Sequence, residues 1–265
     1  MSSSTPLPEF ILFGDSLTEW GFDPTTLGYG HHLEKMYAGK ARVVNEGQAG
    51  YTTTSLASDF ARIIDRATSP SAAPTLLFTI LLGANDACII GETEYVPWHT
   101  FSANIRNFLE TILTQDAMSE TKIVLITPPP INVPEGLMDE GDEGAIEDAN
   151  KWKREGPRYK TYMSKKRYAE GLMEIANEYA ETGRVIGVDF WKGCVEEKIS
   201  EDGGTWEEVE ESGMWPGCGL VGAKMFEKGW FWDGLHLDVK GYAVLNRIVV
   251  EEVVRKWPEL AAERM

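Results

Sequence analysis

A doubly wound α/β fold, in which helices cover both faces of a five-stranded parallel sheet, is the class that this sequence predicts. The prediction depends on three observations. Five short runs are apolar at consecutive positions rather than alternating ones, which suits strands that are covered on both faces. Amphipathic, helix-like segments separate these runs, as in a series of βα units. The chain has 265 residues and is 43% hydrophobic, which suffices for one large core.

The predicted elements follow one another in a regular order. Strands are expected at residues 10–13, 42–45, 75–82, 122–127 and 184–189. Helices are expected near residues 29–37, 53–67, 101–114, 159–182 and 240–256. This order predicts a flavodoxin-like, three-layer α/β/α arrangement in a single domain that spans residues 1–265. Loop insertions are expected at about 128–157 and 194–232, and because both follow strand ends they belong to the C-terminal edge of the sheet.

Charge and hydropathy restrict the partners. Acidic residues number 42 against 25 basic ones, which gives a formal net charge of −17. Nucleic-acid binding needs basic surface that neutralises phosphates, so we expect no nucleic acid. No stretch approaches the roughly 18 apolar residues of a membrane span, so we expect no stable membrane insertion. The N-terminus lacks the regions of a secretory signal, which predicts a cytoplasmic location. A small-molecule partner is expected, and a homo-oligomer stays open.

The cysteines do not indicate a structural scaffold or a metal site. Cys88, Cys194 and Cys218 are three in number and irregularly spaced. That pattern fits reduced thiols better than a disulfide framework, although a pair between Cys194 and Cys218 stays open. No cluster of His, Asp and Glu has the spacing of metal ligands. We therefore expect neither a metal nor another cofactor.

Polar residues follow three of the predicted strands, and a further pair lies near the end of the chain. Ser16 comes after the first strand, Gly50 after the second and Asn85 after the third. Ligands of parallel sheets bind beyond the carboxyl ends of the strands, so these residues are expected to converge. Asp233 and His236, three residues apart, offer a carboxylate and a base. Taken alone, Ser16 would be interpreted as a helix N-cap rather than as a nucleophile.

Acyl transfer needs such a set of groups. A serine hydroxyl is a poor nucleophile until a histidine, oriented by a carboxylate, removes its proton. The developing oxyanion needs fixed donors. The N–H of Ser16, the N–H of Gly50 and the side-chain amide of Asn85 can supply three. Glycine at position 50 would let the backbone approach the substrate closely.

Four blocks of the sequence resemble, in order, the signature blocks of the GDSL or SGNH hydrolases. The blocks are Gly14-Asp15-Ser16-Leu17, Gly50, Gly83-Ala84-Asn85-Asp86 and Asp233-Gly234-Leu235-His236. The resemblance implies the SGNH hydrolase fold, a Ser16–His236–Asp233 catalytic triad and an oxyanion hole from Ser16, Gly50 and Asn85. Within the family, the chain is similar to the isoamyl acetate-hydrolysing esterases through Phe13–Glu19, Ile126–Pro130 and Asp233–Gly241. The implied substrates are small neutral carboxylic esters, acetate esters first.

Other functions use the same residues. A carbohydrate O-acetylesterase, a thioesterase, a lysophospholipase or an acyltransferase would use the same triad, and a non-catalytic α/β binding module could keep the motif as structure. Asp15 could accept a phosphoryl group as in haloacid-dehalogenase-type phosphatases, but those need a second aspartate where this chain has Leu17. Asp15 and Asp86 are therefore expected to brace turns.

The remaining histidines and the tryptophans have open roles. His31 and His32 lie in a helix-like stretch, and His99 lies at a helix start, so none of them is as well suited to catalysis as His236. Trp20 falls one helical turn after Ser16 and would line the pocket or pack in the core. The tryptophans of the second insertion would form an apolar lid or anchor a long loop.

Overall fold

The structure, a computed structural model, describes residues 6–90, 94–134 and 143–265. Five parallel strands form one sheet in the order β2-β1-β3-β4-β5. They are β1 (Glu9–Gly14), β2 (Arg42–Gly47), β3 (Thr75–Leu81), β4 (Lys122–Ile126) and β5 (Val185–Val188). The five predicted strands are confirmed, with ends that differ by one or two residues.

The helices connect the strands in the expected alternation. They are α1 (Ser16–Glu19), α2 (Tyr29–Met36), α3 (Ala57–Ala67), α4 (Trp98–Thr114), α5 (Glu143–Glu155), α6 (Pro157–Glu178), α7 (Phe190–Glu201), α8 (Trp206–Ser212) and α9 (Val239–Lys256). Short 3₁₀ turns occur at Trp20–Phe22, Asp116–Met118, Ala180–Thr182 and Pro258–Leu260. Among the described residues, no helix is both long and apolar enough to cross a membrane.

Both faces of the sheet are buried, which explains the consecutive apolar positions of the strands. All six residues of β1 are buried. On one face, Phe10 and Leu12 pack in a cluster with residues of α2 and α9. On the other face, Ile11 and Phe13 pack with residues of α3, α4 and α6. Successive side chains of a strand point to opposite faces, so a strand between two helical layers is apolar at every position.

The strand order creates a crevice beside β1. The chain runs from β1 to β2 on one side and then crosses to β3 on the other side of β1. Loops that leave β1 and β3 in opposite directions separate at the carboxyl end of the sheet, and ligands of doubly wound folds bind at such a switch point. The topology therefore brings the segments after β1, β2 and β3 to one edge.

The two segments expected as loop insertions contain substantial helix, which the sequence analysis did not assign to them. Helix α5 occupies residues 143–155, and residues 135–142 lie outside the described part of the chain. Helix α7 continues to Glu201, and α8 follows at Trp206–Ser212. A capping box between Thr205 and Glu208 begins α8, a local signal that the acidic composition obscured.

The tryptophans of the second segment mostly anchor it. Trp206 and Trp215 pack edge-on against each other and against Trp191 of α7, in a cluster beside α6. Trp230 is buried in the main core. Because these rings are packed inside the protein, they anchor the segment rather than form an apolar lid over the cleft. Cys194 and Cys218, whose pairing was open, are both free and buried in the described structure, and Cys88 is free as well.

Candidate active site

Ser16 lies at the turn from β1 into α1. Gly14 ends the strand where a Cβ atom would lie 2.5 Å from the carbonyl oxygen of Leu81 on β3, so only glycine fits there. Asp15 is the N-cap of α1, and its Oδ1 accepts the N–H of Leu17 at 3.0 Å. Ser16 is therefore the first residue of the helix rather than its cap, and its hydroxyl is free of the capping role.

Asp15 stabilises this turn from its buried side. Its side chain is completely buried, and burial raises its pKa to about 7. The carboxylate does not line the cleft that contains Ser16. An attacking carboxylate must reach its substrate, so Asp15 is not placed to accept a phosphoryl group. The expected bracing role fits the geometry.

Ser16, His236 and Asp233 form a continuous chain of hydrogen bonds. The Oγ of Ser16 lies 3.1 Å from Nε2 of His236, and Nδ1 of His236 lies 2.6 Å from Oδ2 of Asp233. The other carboxylate oxygen of Asp233 accepts the backbone N–H groups of Leu235 at 2.9 Å and His236 at 2.8 Å. Burial alone would raise the pKa of Asp233, but these bonds outweigh it and lower the pKa. Asp233 is therefore held as an anion directed at the imidazole.

The loop that carries Asp233 and His236 is held at both ends. Phe231 and Leu237 form an antiparallel bridge, and the N–H of Trp232 donates to the carbonyl of His236 at 3.1 Å. Between them, Gly234 has a φ of +87°, a left-handed conformation that favours glycine. The loop ends at the N-terminus of α9. This closed loop explains why two residues three positions apart can face each other.

Gly50 and Asn85 lie in the same cleft as Ser16. Gly50 has a φ of +80°, and a Cβ atom at this position would meet nothing within 4 Å. A residue with a side chain would strain the backbone at this position, although nothing near it would obstruct the side chain itself. The side-chain nitrogen of Asn85 donates to the carbonyl of Tyr51 at 2.8 Å, and because an amide nitrogen carries two N–H groups, the second can serve a ligand.

Asp86 ties these two loops together. Its Oδ1 accepts the backbone N–H of Thr53 at 2.9 Å and the Thr53 hydroxyl at 2.6 Å. Burial raises its pKa to about 6. The bonds join the segment after β2 to the segment after β3, which fixes Gly50 relative to Asn85. The expected bracing role of Asp86 fits this arrangement.

These residues line a cleft of about 540 Å³, which we call the Ser16 cleft. Its other walls come from Trp20, the segment after β4 and one face of α6, and the lining residues are Ser16, Trp20, Ala49, Gly50, Ala84, Asn85, Cys88, Ile90, Glu94, Ile131, Asn132, Val133, Pro134, Arg158, Thr161, Lys165, Asp233, Gly234, Leu235 and His236. Sites for small ligands commonly have 300 to 1,000 Å³. The volume suits a small ester.

Two indole rings flank the imidazole of His236. The ring of Trp20 lies 4.3 Å from it between centroids, and the ring of Trp232 stacks on it at 5.4 Å. Trp232 is 61% exposed, so its outer face meets solvent. Trp20 thus belongs to the pocket, one of its two expected roles.

The other histidines lie elsewhere. His31 and His32 are in α2 and His99 is in α4, and none of the three lines the Ser16 cleft as the structure describes it. Within residues 6–90, 94–134 and 143–265, no three His, Cys, Asp or Glu side chains are grouped so that they could hold a metal ion. The absence of a cofactor stays a prediction.

The contribution of α6 to the cleft was not predicted from the sequence. Arg158, Thr161 and Lys165 of this helix line the cleft. A signal was present, because Lys165 falls within the buried stripe that includes Tyr162, Tyr168 and other apolar residues. A lysine in an apolar stripe is unusual unless it has a partner.

Comparison with known proteins defines the class as carboxylic ester hydrolases. The chain belongs to the GDSL-like lipase/acylhydrolase family, whose family model matches residues 10–249. It is 29% identical over 270 residues to a GDSL esterase/lipase of Arabidopsis thaliana, a match that covers 97% of this chain and 89% of the relative. It is 35% identical over 135 residues to an isoamyl acetate-hydrolyzing esterase 1 homolog of Bos taurus, covering 49% of this chain and 52% of the relative.

A solved structure shares the fold. It is a catalytic mutant of Axe2, an acetylxylan esterase from Geobacillus stearothermophilus, with a TM-score of 0.58 and 17% sequence identity. The match covers 94% of this chain and 96% of the other. The family resemblance and the fold expected from the sequence are thereby confirmed.

Proposed function

We propose that this protein is a serine esterase that hydrolyses small carboxylic esters, acetate and other short-chain esters first, through an acyl-enzyme. One observation carries the proposal: the hydrogen-bonded chain Ser16–His236–Asp233 opens into a cleft that Gly50 and Asn85 also line. Nucleophile, base, orienting acid and oxyanion donors need to meet at one place, and the location of all five residues in one cleft supports the proposal.

Each group has a defined task in the proposed mechanism. The Oγ of Ser16 attacks the ester carbonyl carbon while Nε2 of His236 takes its proton. Asp233 holds Nδ1 protonated and stabilises the imidazolium. The oxyanion accepts hydrogen bonds from the N–H of Ser16, the N–H of Gly50 and the side-chain amide of Asn85.

The proton on His236 then goes to the leaving alcohol, and the C–O bond of the ester breaks to give an acyl group on Ser16. Water next attacks the acyl carbonyl as His236 takes one of its protons. The second tetrahedral intermediate collapses, the carboxylic acid leaves, and the proton returns to Oγ of Ser16. In the net reaction, one ester and one water give one carboxylic acid and one alcohol.

Hydrolysis of a chain-length series tests the proposal. Purified protein is offered p-nitrophenyl acetate, butyrate and octanoate, and we expect turnover with the short acyl chains. Ser16→Ala should lower kcat/KM by about 10⁴-fold or more. Ser102→Ala is the matched control, because Ser102 is also buried but donates to the carbonyl of His99 outside the cleft.

Two results would contradict the proposal. Equal turnover by wild type and Ser16→Ala on every ester would exclude a Ser16 esterase. Labelling by a serine-directed phosphonate at a residue other than Ser16 would exclude the assigned triad.

A carbohydrate O-acetylesterase is the second candidate, and the indole pair beside His236 favours it. Trp20 and Trp232 are 39% and 61% exposed, and flat exposed rings of this kind stack on sugars. The fold shared with an acetylxylan esterase agrees with this candidate. To decide between the two candidate functions, kcat/KM is measured for an acetylated xylooligosaccharide and for isoamyl acetate, each with the wild type and with Trp232→Ala. A larger loss on the oligosaccharide favours the carbohydrate substrate, and an equal loss on both favours the simple ester.

The cytoplasmic location, the single domain and a homo-oligomer stay predictions.

A further inference from the structure

Lys165 is a buried lysine without a hydrogen-bond partner. Its side chain is 1% exposed, and its Nζ bonds to no group in the described structure. Burying an ammonium group is costly unless a partner compensates it. The other buried lysine, Lys198, differs in this respect, because it pairs with Asp202 and Glu227.

Lys165 contributes to the wall of the Ser16 cleft. Lys165 lines that cleft together with Thr161 and Arg158, which precede it on α6 by four and seven residues. Residues at this spacing share one face of a helix. The hydroxyl of Thr161 accepts the N–H of Ile89 at 3.1 Å, which holds the segment after β3 against this face. Arg158 is exposed at the rim of the cleft.

Nearby acids do not neutralise Lys165 by direct contact. Asp15 interacts with it electrostatically, but its free oxygen Oδ2 also has no hydrogen-bond partner. Glu94 lines the same cleft, but within the described part of the chain Nζ of Lys165 has no hydrogen-bond partner. Burial lowers the pKa of Lys165 to about 8, against the opposing effects of Cys88 and Asp15. The lysine therefore still carries its charge near neutral pH and lacks an acceptor.

We propose that Lys165 is a specificity-determining residue that binds a carboxylate carried by the ester substrate, on the acyl or the alcohol side that points toward α6. The Nζ donates to the substrate carboxylate, and Arg158 at the rim attracts the same charge. The proposal rests on the proposed esterase function. It changes the expected substrate from a neutral ester to a monoanionic one, because α6 contributes two basic side chains, Arg158 and Lys165, to the lining of the cleft although the whole chain is acidic.

Two pairs of isosteric esters test this proposal, one for each side of the ester bond. On the acyl side, ethyl hydrogen succinate is compared with ethyl 4-methylpentanoate, in which an isopropyl group replaces the carboxylate. On the alcohol side, 3-acetoxypropanoate is compared with isoamyl acetate by the same replacement. Hydrolysis is followed by pH-stat titration at pH 7 and low salt, and kcat/KM is determined for all four.

We expect kcat/KM for the carboxylate ester to exceed that of its isostere by about tenfold or more in at least one pair, as a hydrogen bond between charged groups typically gives. Lys165→Met should lower this ratio by about the same factor. Lys160→Met is the matched control, because Lys160 is an exposed lysine of the same helix that pairs with Glu155 outside the cleft. It should leave the ratio unchanged.

Preference for the neutral isostere in both pairs would overturn the proposal without any variant, provided that Ser16→Ala abolishes the hydrolysis. An equal loss on both members of each pair in Lys165→Met would also overturn it, because a merely structural lysine would act in that way. Hydrolysis that persists in Ser16→Ala would instead refute the esterase function on which the proposal depends.

Discussion

Asp233→Asn is the sharpest test of the site, because it removes a charge while it keeps the shape. The carboxylate accepts three hydrogen bonds, two from backbone N–H groups at Oδ1 and one from the imidazole at Oδ2. An asparagine has one acceptor oxygen and one donor nitrogen in place of the two oxygens. It can satisfy either the backbone or the imidazole in the original way, but not both.

The hydrogen bonds of Asp233 indicate which orientation the side-chain amide of an asparagine would adopt. If its oxygen faced His236, its NH₂ group would meet two backbone donors, and two hydrogen bonds of about 0.5–1.5 kcal/mol each would be lost. If its oxygen faces the backbone, the NH₂ group donates to Nδ1 of His236. The proton of the imidazole then sits on Nε2, which can no longer accept from Ser16. The second arrangement is therefore favoured, with the catalytically wrong tautomer.

We expect kcat to fall by about 10⁴, which corresponds to about 5 kcal/mol of lost transition-state stabilisation. The free energy of unfolding in urea should change by about 1 kcal/mol or less, because the two backbone bonds survive. Hydrolysis of p-nitrophenyl acetate gives the rate. Asp238→Asn is the control, since Asp238 caps α9 in the same loop and asparagine caps a helix equally well. A loss below about tenfold in Asp233→Asn would refute the assigned role of Asp233.

Three further changes test other parts of the molecule. Burial raises the pKa of Asp15 from 3.8 to about 7, so the folded chain keeps a proton that the unfolded chain has lost, and stability should fall as pH rises toward 7. Between pH 5 and 8, the free energy of unfolding should therefore fall by up to about 3 kcal/mol less in Asp15→Asn than in the wild type, as measured by urea unfolding. An equal pH dependence in the two proteins would contradict this role of Asp15. Gly50→Ala should cost about 1–2 kcal/mol of stability and also lower kcat, whereas Gly39→Ala, at a similar positive φ in open space, should cost stability alone. Asn85→Ala should lower kcat by about 10²–10³, and Asn246→Ala, outside the cleft, should not; equal rates for the two would exclude an oxyanion role for Asn85.

The strands and the order of the layers could be predicted because the information is local. Strands β1, β3 and β4 are consecutive apolar runs in the sequence because nearly all of their residues are buried. The same holds for the residues of the site. Ser16, Gly50 and Asn85 each follow a strand directly, and parallel strands bring their carboxyl ends together whatever the rest of the chain does. Asp233 and His236 lie in one short loop.

The segments after β4 and β5 could not be predicted in the same way. Their acidic and proline-containing composition suggested loops, but the start of α8 depends on two side chains, Thr205 and Glu208, that bond to the backbone. The position of α6 against the cleft depends on how a 22-residue helix packs over the sheet. Periodicity indicates which face of such a helix is buried but not which buried residue meets the cleft.

The local charge of the cleft is a further property that could not be predicted from the sequence. The family resemblance implied small neutral esters, and the formal net charge of −17 gave no reason to expect an anionic substrate. Surface charges are screened over about 8–10 Å at physiological ionic strength, whereas a charge in a buried wall is screened much less. If Lys165 binds a substrate carboxylate as proposed, its buried ammonium group has a larger effect on a bound ester than the exposed carboxylates of the surface have. If the carboxylate esters are preferred, the local sign of charge in the cleft rather than the sign of the whole chain selects the substrate.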